Sequence, residues 1–405
     1  MNYRIYLFLL FSLSHSVIFV SCGGSELKSF NEIDRPISLN QLNVLHESCQ
    51  VISAEDKKSP SGLGDDFSFY TMAEDTKRFS VPEDQSVYVI GDIHGSWEMI
   101  FYSLVNSGIM EVDAPTKKTV SIIYKGLPLD VEIPNLKFRD GHQNSKLIFM
   151  GDYIAKNDPS HEQLTLAFLN DVLMKQKKQK KMGGHSIVAL IGNHDYEAVN
   201  GITHVGYWNE KNYRDQVMEM IQKNLLTPTH YDHGIWYSHS YLTPDDIKNF
   251  SENGFDFPEK GSSVSDGVLK VSEGVNAFIL KLILEQKIEG TWLDSPSENP
   301  WQKKPFNFFY VMSSYAADGK TAAANYENFP IIVGHLSDPS RKVLRVLTEA
   351  YGGLNRFKFP RRSHILCTDT SIYKSFQEHS PATYLKIDYK VKDKVQFYSC
   401  TVPTP

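Results

Sequence analysis

A chain of 405 residues carries 42 Lys and Arg against 48 Asp and Glu, a formal net charge of −6. So mild a balance excludes a surface built for bulk nucleic-acid binding, which needs a basic excess. With 41% hydrophobic and 12% aromatic residues, the chain can fill one large core or two ordinary ones.

The first element is a targeting segment. Residues 1–4 carry one positive charge, residues 5–20 are almost wholly apolar, and Ser21-Cys22-Gly23-Gly24 follows. That order reads as a secretory signal peptide over residues 1–22. A small residue directly before Cys22 resembles a bacterial lipobox, which implies cleavage before Cys22 and lipidation of its thiol. Ordinary cleavage near Ser21 would instead leave a soluble exported protein, and an uncleaved helix would leave an anchor. The expected location is therefore a membrane-anchored lipoprotein or a periplasmic or secreted protein. Export permits disulfides. With Cys22 lipidated, Cys49, Cys367 and Cys400 remain and allow one pair. Cys367 lies in an apolar run and reads as a buried thiol; Cys49 with Cys400 is one such pair, and no spacing selects it.

Residues 23–80 mix Ser, Asp, Lys and Gly, and read as a tether followed by irregular packing segments. The main domain is expected over residues 81–405. It opens with a β-branched run, residues 87–90, that ends in Gly91-Asp92-Ile93-His94-Gly95. The run reads as a buried strand, and the glycines permit a sharp turn at its end. Asp92 and His94 sit two apart, so extended backbone points both the same way.

Residues 96–106 show helical spacing, with Gly108 as a C-cap. Residues 119–134 hold two β-rich runs around Lys125-Gly126-Leu127-Pro128, a hairpin that interrupts the strand–helix alternation. Residues 147–150 form the next buried strand and lead into Gly151-Asp152. A long helix follows over 161–181; its Lys-rich tail reads as a solvated helix end. Residues 187–191 give a third buried strand, ending in Gly192-Asn193-His194-Asp195. A helix is expected over 209–224. A strand at 234–238 ends at His239. Thr243-Pro244-Asp245-Asp246 starts another helix, and Gly254 can stop it. A further helix covers 268–287, and residues 288–306 read as a long loop or lid. Residues 329–333 form a strand leading into Gly334-His335, and strand-like runs follow near 364–369, 382–389 and 394–402. Strands first alternate with helices and then cluster, which predicts an α/β fold of two packed sheets rather than a Rossmann sheet.

Five apolar runs thus end in ligand-type side chains: Asp92 with His94, Asp152, Asn193 with His194, His239, and His335. A dinuclear site needs a carboxylate that can bridge two cations, flanked by nitrogen and oxygen ligands. Asp152 is the natural bridge. Asp92 and His94 complete one metal; Asn193, His239 and His335 complete the other. Mixed N/O ligation without Cys favours two divalent ions of Mn, Fe or Zn.

These motifs resemble the signature of the calcineurin-like metallophosphatase superfamily, and within it the phosphoprotein phosphatase family. Ile365-Leu366-Cys367-Thr368-Asp369-Thr370 resembles that family's Asp-Thr strand after the last metal histidine. Ala198-Val199-Asn200, after Gly-Asn-His, is similar to its bacterial Shewanella-like branch. The resemblance covers roughly residues 87–389. It implies a metallophosphatase-type two-sheet α/β sandwich flanked by helices. It also implies in-line attack by a metal-bridging hydroxide, with His194 as general acid to the leaving group. The implied activity is a phosphomonoesterase, a serine/threonine or tyrosine protein phosphatase. The alternatives are a hydrolase of small phosphate esters or dinucleoside polyphosphates, and an inactive surface binding lipoprotein.

Two positions depart from the family's pattern. Ala155 stands where that pattern has the carboxylate that orients the catalytic histidine. Lys156 stands where it has a phosphate-clamping Arg, giving a point charge in place of a bidentate fork. Asp195 or Asp158 could orient His194 instead. Arg341, Arg345, Arg361 and Arg362 could supply a second clamp or a charged surface.

Overall fold

The computed structural model describes residues 48–51, 85–124, 127–140, 145–154, 159–179, 187–200, 210–240, 244–257, 264–285, 331–335, 365–368, 382–391 and 394–402. They all belong to one compact unit that begins at Val44. The signal segment, Cys22, the 288–306 loop and the four arginines lie outside the described residues.

The main sheet is built on β2 (Ser86–Ile90), which is buried at every position. Parallel to it run β5 (Ser145–Phe149) and then β6 (Ile187–Ala189). Strands covered on both faces read as continuous apolar runs, which is how residues 87–90 and 147–150 read in sequence. On the other side of β2 lie β11 (Ala382–Val391), β12 (Lys394–Val402) and β1 (Ser48–Val51), each antiparallel to its neighbour. The second sheet has the order β10 (Ile365–Cys367), β9 (Ile331–Val333), β8 (Ile235–Ser238), β7 (Thr229–Asp232). There β8, β9 and β10 run parallel, and β7 closes a hairpin with β8. His233 and Gly234, both at positive φ (49° and 76°), form that hairpin's turn. Among the described residues, six helices accompany the sheets: α1 (Trp97–Asn106), α2 (Pro159–Gln179), α3 (Asn193–Asn200), α4 (Glu210–Gln222), α5 (Pro244–Glu252) and α6 (Val264–Leu284). This is the mixed α/β, multi-sheet architecture that the order of elements predicted.

The hairpin is longer than the sequence suggested. Its strands are β3 (Met110–Tyr124) and β4 (Leu127–Phe138), a two-stranded sheet of their own. It lies along α2. The Gln163 side-chain amide accepts from the Ile123 N–H at 2.7 Å and donates to the Ile123 carbonyl at 2.9 Å, as a strand would. Lys175 donates to the Leu136 carbonyl at 2.8 Å.

One correction concerns the N-terminal segment. Residues 48–51 fall in the stretch read as tether and irregular structure, yet they form the edge strand β1. In that register Cys49 faces Cys400, and the two form a disulfide. Four residues without strong alternation carry little strand signal; the pairing partner lies 351 positions away.

The two sheets are also joined by charge. Lys146 on β5 pairs with Asp232 on β7, and the His233 ring nitrogen Nδ1 lies 2.8 Å from the same carboxylate. Burial raises the Asp232 carboxyl, but the His233 hydrogen bond and the Lys146 charge hold it well below the usual range.

Candidate metal centre

The candidate side chains leave the carboxyl ends of five strands, where open α/β sheets place their sites. Asp92 and His94 follow β2, Asp152 follows β5, Asn193 and His194 follow β6, His239 follows β8, and His335 follows β9. The turns after β2 and β5 are pinned to each other. Ile93 N–H donates to the Gly151 carbonyl at 3.3 Å, His94 N–H to that of Asp152 at 2.6 Å, and Gly95 N–H to that of Tyr153 at 2.9 Å. His94, Asp152 and His335 adopt left-handed backbone, with φ of 43°, 53° and 63°. Such a conformation costs a non-glycine residue on the order of 1–3 kcal/mol and persists where surrounding structure enforces it.

Close approach of backbone tightens the centre further. A Cβ at Gly192 would overlap both the backbone N and the carboxylate of Asp152. One at Gly334 would overlap Asp92 Oδ1. Only glycine lets these strand ends come so near.

Asp152 sits in the middle. Its Oδ2 lies 3.7 Å from His94 Nε2 and 3.8 Å from His194 Nε2. Its Oδ1 lies 3.4 Å from His239 Nε2 and accepts the His194 backbone N–H at 2.9 Å. His335 belongs with Asp152 and His239, their ligand atoms all within 4.8 Å of one another; His94, Asp152 and His194 form a second such group. Asp92 joins them through Oδ2, 3.8 Å from His94 Nε2, and through Oδ1, which accepts the His335 N–H at 3.0 Å. Asn193 Oδ1 lies 2.9 Å from His239 Nε2. Asp92, His94, Asp152, Asn193 and His239 are all buried.

Two histidines are held by backbone. His94 Nδ1 donates to the Ile154 carbonyl at 2.9 Å, and His239 Nδ1 to the Met150 carbonyl at 2.8 Å. A carbonyl only accepts, so each Nδ1 carries a proton and each ring turns its Nε2 inward toward the carboxylates. The donor set is thus imidazole nitrogen, carboxylate and amide oxygen, facing one another in a buried space. That suits borderline divalent cations.

The field matches that chemistry. Burial raises the Asp152 carboxyl, but the charges of His239, His194 and His94 bring it well below the usual range. Burial lowers the His239 imidazole, yet the Asp152 and Asp92 carboxylates outweigh it and push it up to about 10. Clustered buried carboxylates demand positive charge. Divalent ions held by the Nε2 atoms and the carboxylates would supply it.

The family profile described as calcineurin-like phosphoesterase matches residues 86–336, a span that contains all five of these strand ends. The chain belongs to the calcineurin-like phosphoesterase family. It is accordingly a metal-dependent phosphoesterase, a hydrolase. Two solved structures are found similar to the chain. A cold-active protein-tyrosine phosphatase of a psychrophilic Shewanella species covers 79% of this chain and 83% of its own, at 12% identity and a TM-score of 0.42. A protein serine/threonine phosphatase from Saccharomyces cerevisiae, with similarity to human phosphatase PP5, covers 49% and 55%, at 14% identity and a TM-score of 0.22. No curated protein matches the chain by sequence.

Two residues of this family member differ from the sequence reading. Asp195, offered as the carboxylate that orients His194, turns to backbone instead. Its Oδ2 accepts the Asp152 and Gly192 N–H groups, both at 2.9 Å, and its Oδ1 accepts that of Tyr153 at 3.0 Å. The reason is a helix start. α3 begins at Asn193, so Asp195 is its third residue and reaches back to the amide of the capping residue Gly192. Burial and the Asp152 charge push its carboxyl up to about 7, against the amide hydrogen bonds. Sequence reading missed Glu197, which is 1% exposed. Its Oε2 lies 3.2 Å from His194 Nδ1. The signal was present as Asn193-His194-x-x-Glu197, neighbours on one helix face at i+4 and i+3. Lys156, Ala155 and Asp158 lie outside the described residues.

Proposed function

We propose that the protein is a phosphomonoesterase acting on phosphorylated Ser, Thr or Tyr side chains of proteins. The observation that carries the reading is the position of Asp152, with one carboxylate oxygen toward His94 and His194 and the other toward His239. Asp92, His94 and Asp152 would hold one divalent ion; Asp152, Asn193, His239 and His335 would hold a second. Bound there, Mn, Fe or Zn would supply Lewis-acid charge to the phosphoryl oxygens and to the attacking water. His194, like His335, is only part-buried. Its side chain keeps 14% of its surface exposed, and its Nε2 lies 3.8 Å from Asp152 Oδ2. From there Nε2 can give a proton to the leaving oxygen. Lys156 would add a point charge for the phosphate.

The protein-phosphatase reading rests on motif order and on the Ile365-to-Thr370 run, whose first residues form β10 beside β9. One feature favours a second reading, dinucleoside polyphosphates: Asp195 follows His194 where eukaryotic protein phosphatases carry Glu. The test is hydrolysis by purified protein starting at residue 23, loaded with Mn²⁺, on an aryl phosphate, phosphopeptides and dinucleoside polyphosphates. The expected result is chelator-sensitive activity, fastest on phosphopeptides. Preference for dinucleoside polyphosphates would select the second reading. Activity that survives chelation would sink both, and a metal-loaded but inert protein would make it a binding lipoprotein.

The same reading extends to location. The N-terminal order and a Cys49–Cys400 disulfide suit an exported protein lipidated at Cys22. Mass measurement of the mature N-terminus tests this; an unmodified first residue would rule lipidation out.

A further inference from the structure

We propose that Glu197 is the positioning residue of this site, setting the proton on His194 and the orientation of Asn193. The inference rests on the phosphatase reading above, in which His194 is the proton donor. Glu197 lies one turn into α3, so its side chain folds back over the two residues that enter the centre. Oε2 lies 3.2 Å from His194 Nδ1. Oε1 lies 3.5 Å from Asn193 Nδ2. A carboxylate only accepts, so the first contact puts a proton on Nδ1 and aims Nε2 at the centre. The second turns the amide nitrogen of Asn193 toward Glu197 and its Oδ1 toward His239, where it lies 2.9 Å from Nε2.

The nearby acids are committed elsewhere. Both oxygens of Asp195 take backbone amides. Asp152 Oδ1 takes the His194 backbone N–H. Glu197 is 1% exposed, and a carboxylate so buried needs a charged or hydrogen-bonding partner. The chemistry then balances simply. In this role His194 brings its Nε2 proton to the step while Nδ1–H stays on Glu197. As the bond between phosphorus and the leaving oxygen breaks, its electron pair stays on that oxygen and the Nε2 proton moves there. Water supplies the new oxygen on phosphorus, and its proton is the one that later restores Nε2. No proton passes to Glu197, whose part is to hold Nδ1–H, as the orienting acid of a histidine pair does.

Glu197→Gln keeps size and shape but removes the charge that favours Nδ1–H. A proton donor matters most when the leaving group is poor. In Glu197→Gln, turnover of an alkyl phosphopeptide should therefore fall by about tenfold or more beyond any loss on 4-nitrophenyl phosphate. Metal content should stay at the wild-type level. Glu197→Ala also frees Asn193 and should weaken metal binding roughly 10–100-fold, the usual effect of losing a group that orients a ligand. An independent readout is the ¹⁵N signal of the His194 ring, with Nδ1 protonated in the wild type and the lock lost in Glu197→Gln. Equal losses on both substrates, or an unprotonated Nδ1 in the wild type, would overturn the proposal. Failure of the phosphatase reading would look different: His194→Ala would leave turnover of both substrates untouched. The ring signal then still decides whether Glu197 sets the proton.

Discussion

Asp152→Asn should abolish metal loading at both positions and lower turnover about 10³-fold or more. Loss of a group that only orients a ligand costs roughly 10–100-fold, and Asp152 faces both ligand groups itself. The substitution is nearly isosteric. Its amide oxygen can still accept the His194 backbone N–H, so the turn after β5 should survive. What disappears is the negative charge that Nε2 of His94, His194 and His239 all face. Stability should fall with it. Against burial, the charges of His239, His194 and His94 hold the Asp152 carboxyl well below the usual range, so the folded state favours the charged carboxylate, and the metal-free variant should melt lower than the metal-free wild type. Metal analysis and a thermal melt check the two halves. A variant that keeps both ions would show that Asp152 is not a bridge.

Gly192→Ala should cost both fold and site, though it changes no ligand. Its Cβ would collide with Asp152, main chain and carboxylate alike. Forcing one methyl group into a packed core costs about 1–3 kcal/mol. The Asp152 carboxylate must shift to relieve it, and a displacement near 1 Å at a reacting centre can cost about 10²-fold in rate. Gly334→Ala should act the same way on Asp92. Gly254→Ala is the control. It sits at φ 85° with nothing within 4 Å of an added Cβ, at the end of α5. It should lose a little stability through backbone strain and keep full activity. Chemical denaturation and kcat/KM on one substrate separate these outcomes. Equal activity in Gly192→Ala and Gly254→Ala would mean that the tight contact of the strand ends does not set the site.

The strands that carry the centre were legible because they are covered on both faces and so run apolar until the chain turns. Val87 to Ile90 and Leu147 to Phe149 are near or at full burial, and each run stops at a glycine. The order Gly-Asp, Gly-Asn-His, Gly-His then marked the strand ends. What stayed hidden has a physical cause in each case. α3 starts immediately after Gly192, and eight residues of modest helical pattern gave no periodic signal of their own. Missing that helix hid both the capping role of Asp195 and the reach of Glu197. β7 is short and half-polar, and its strand character comes from pairing with β8. β1 owes its existence to β12, far along the chain. Local propensity cannot show such pairings, because the energy comes from the partner. The left-handed backbone at His94, Asp152 and His335 was also invisible, since it runs against what those residue types prefer.

The most direct test is calorimetric titration of the metal-free protein with Mn²⁺, for the wild type and for Asp152→Asn. The wild type should bind two equivalents, and Asp152→Asn neither. One equivalent in the wild type, or two that survive the loss of the Asp152 charge, would contradict a centre in which a single carboxylate serves both ions.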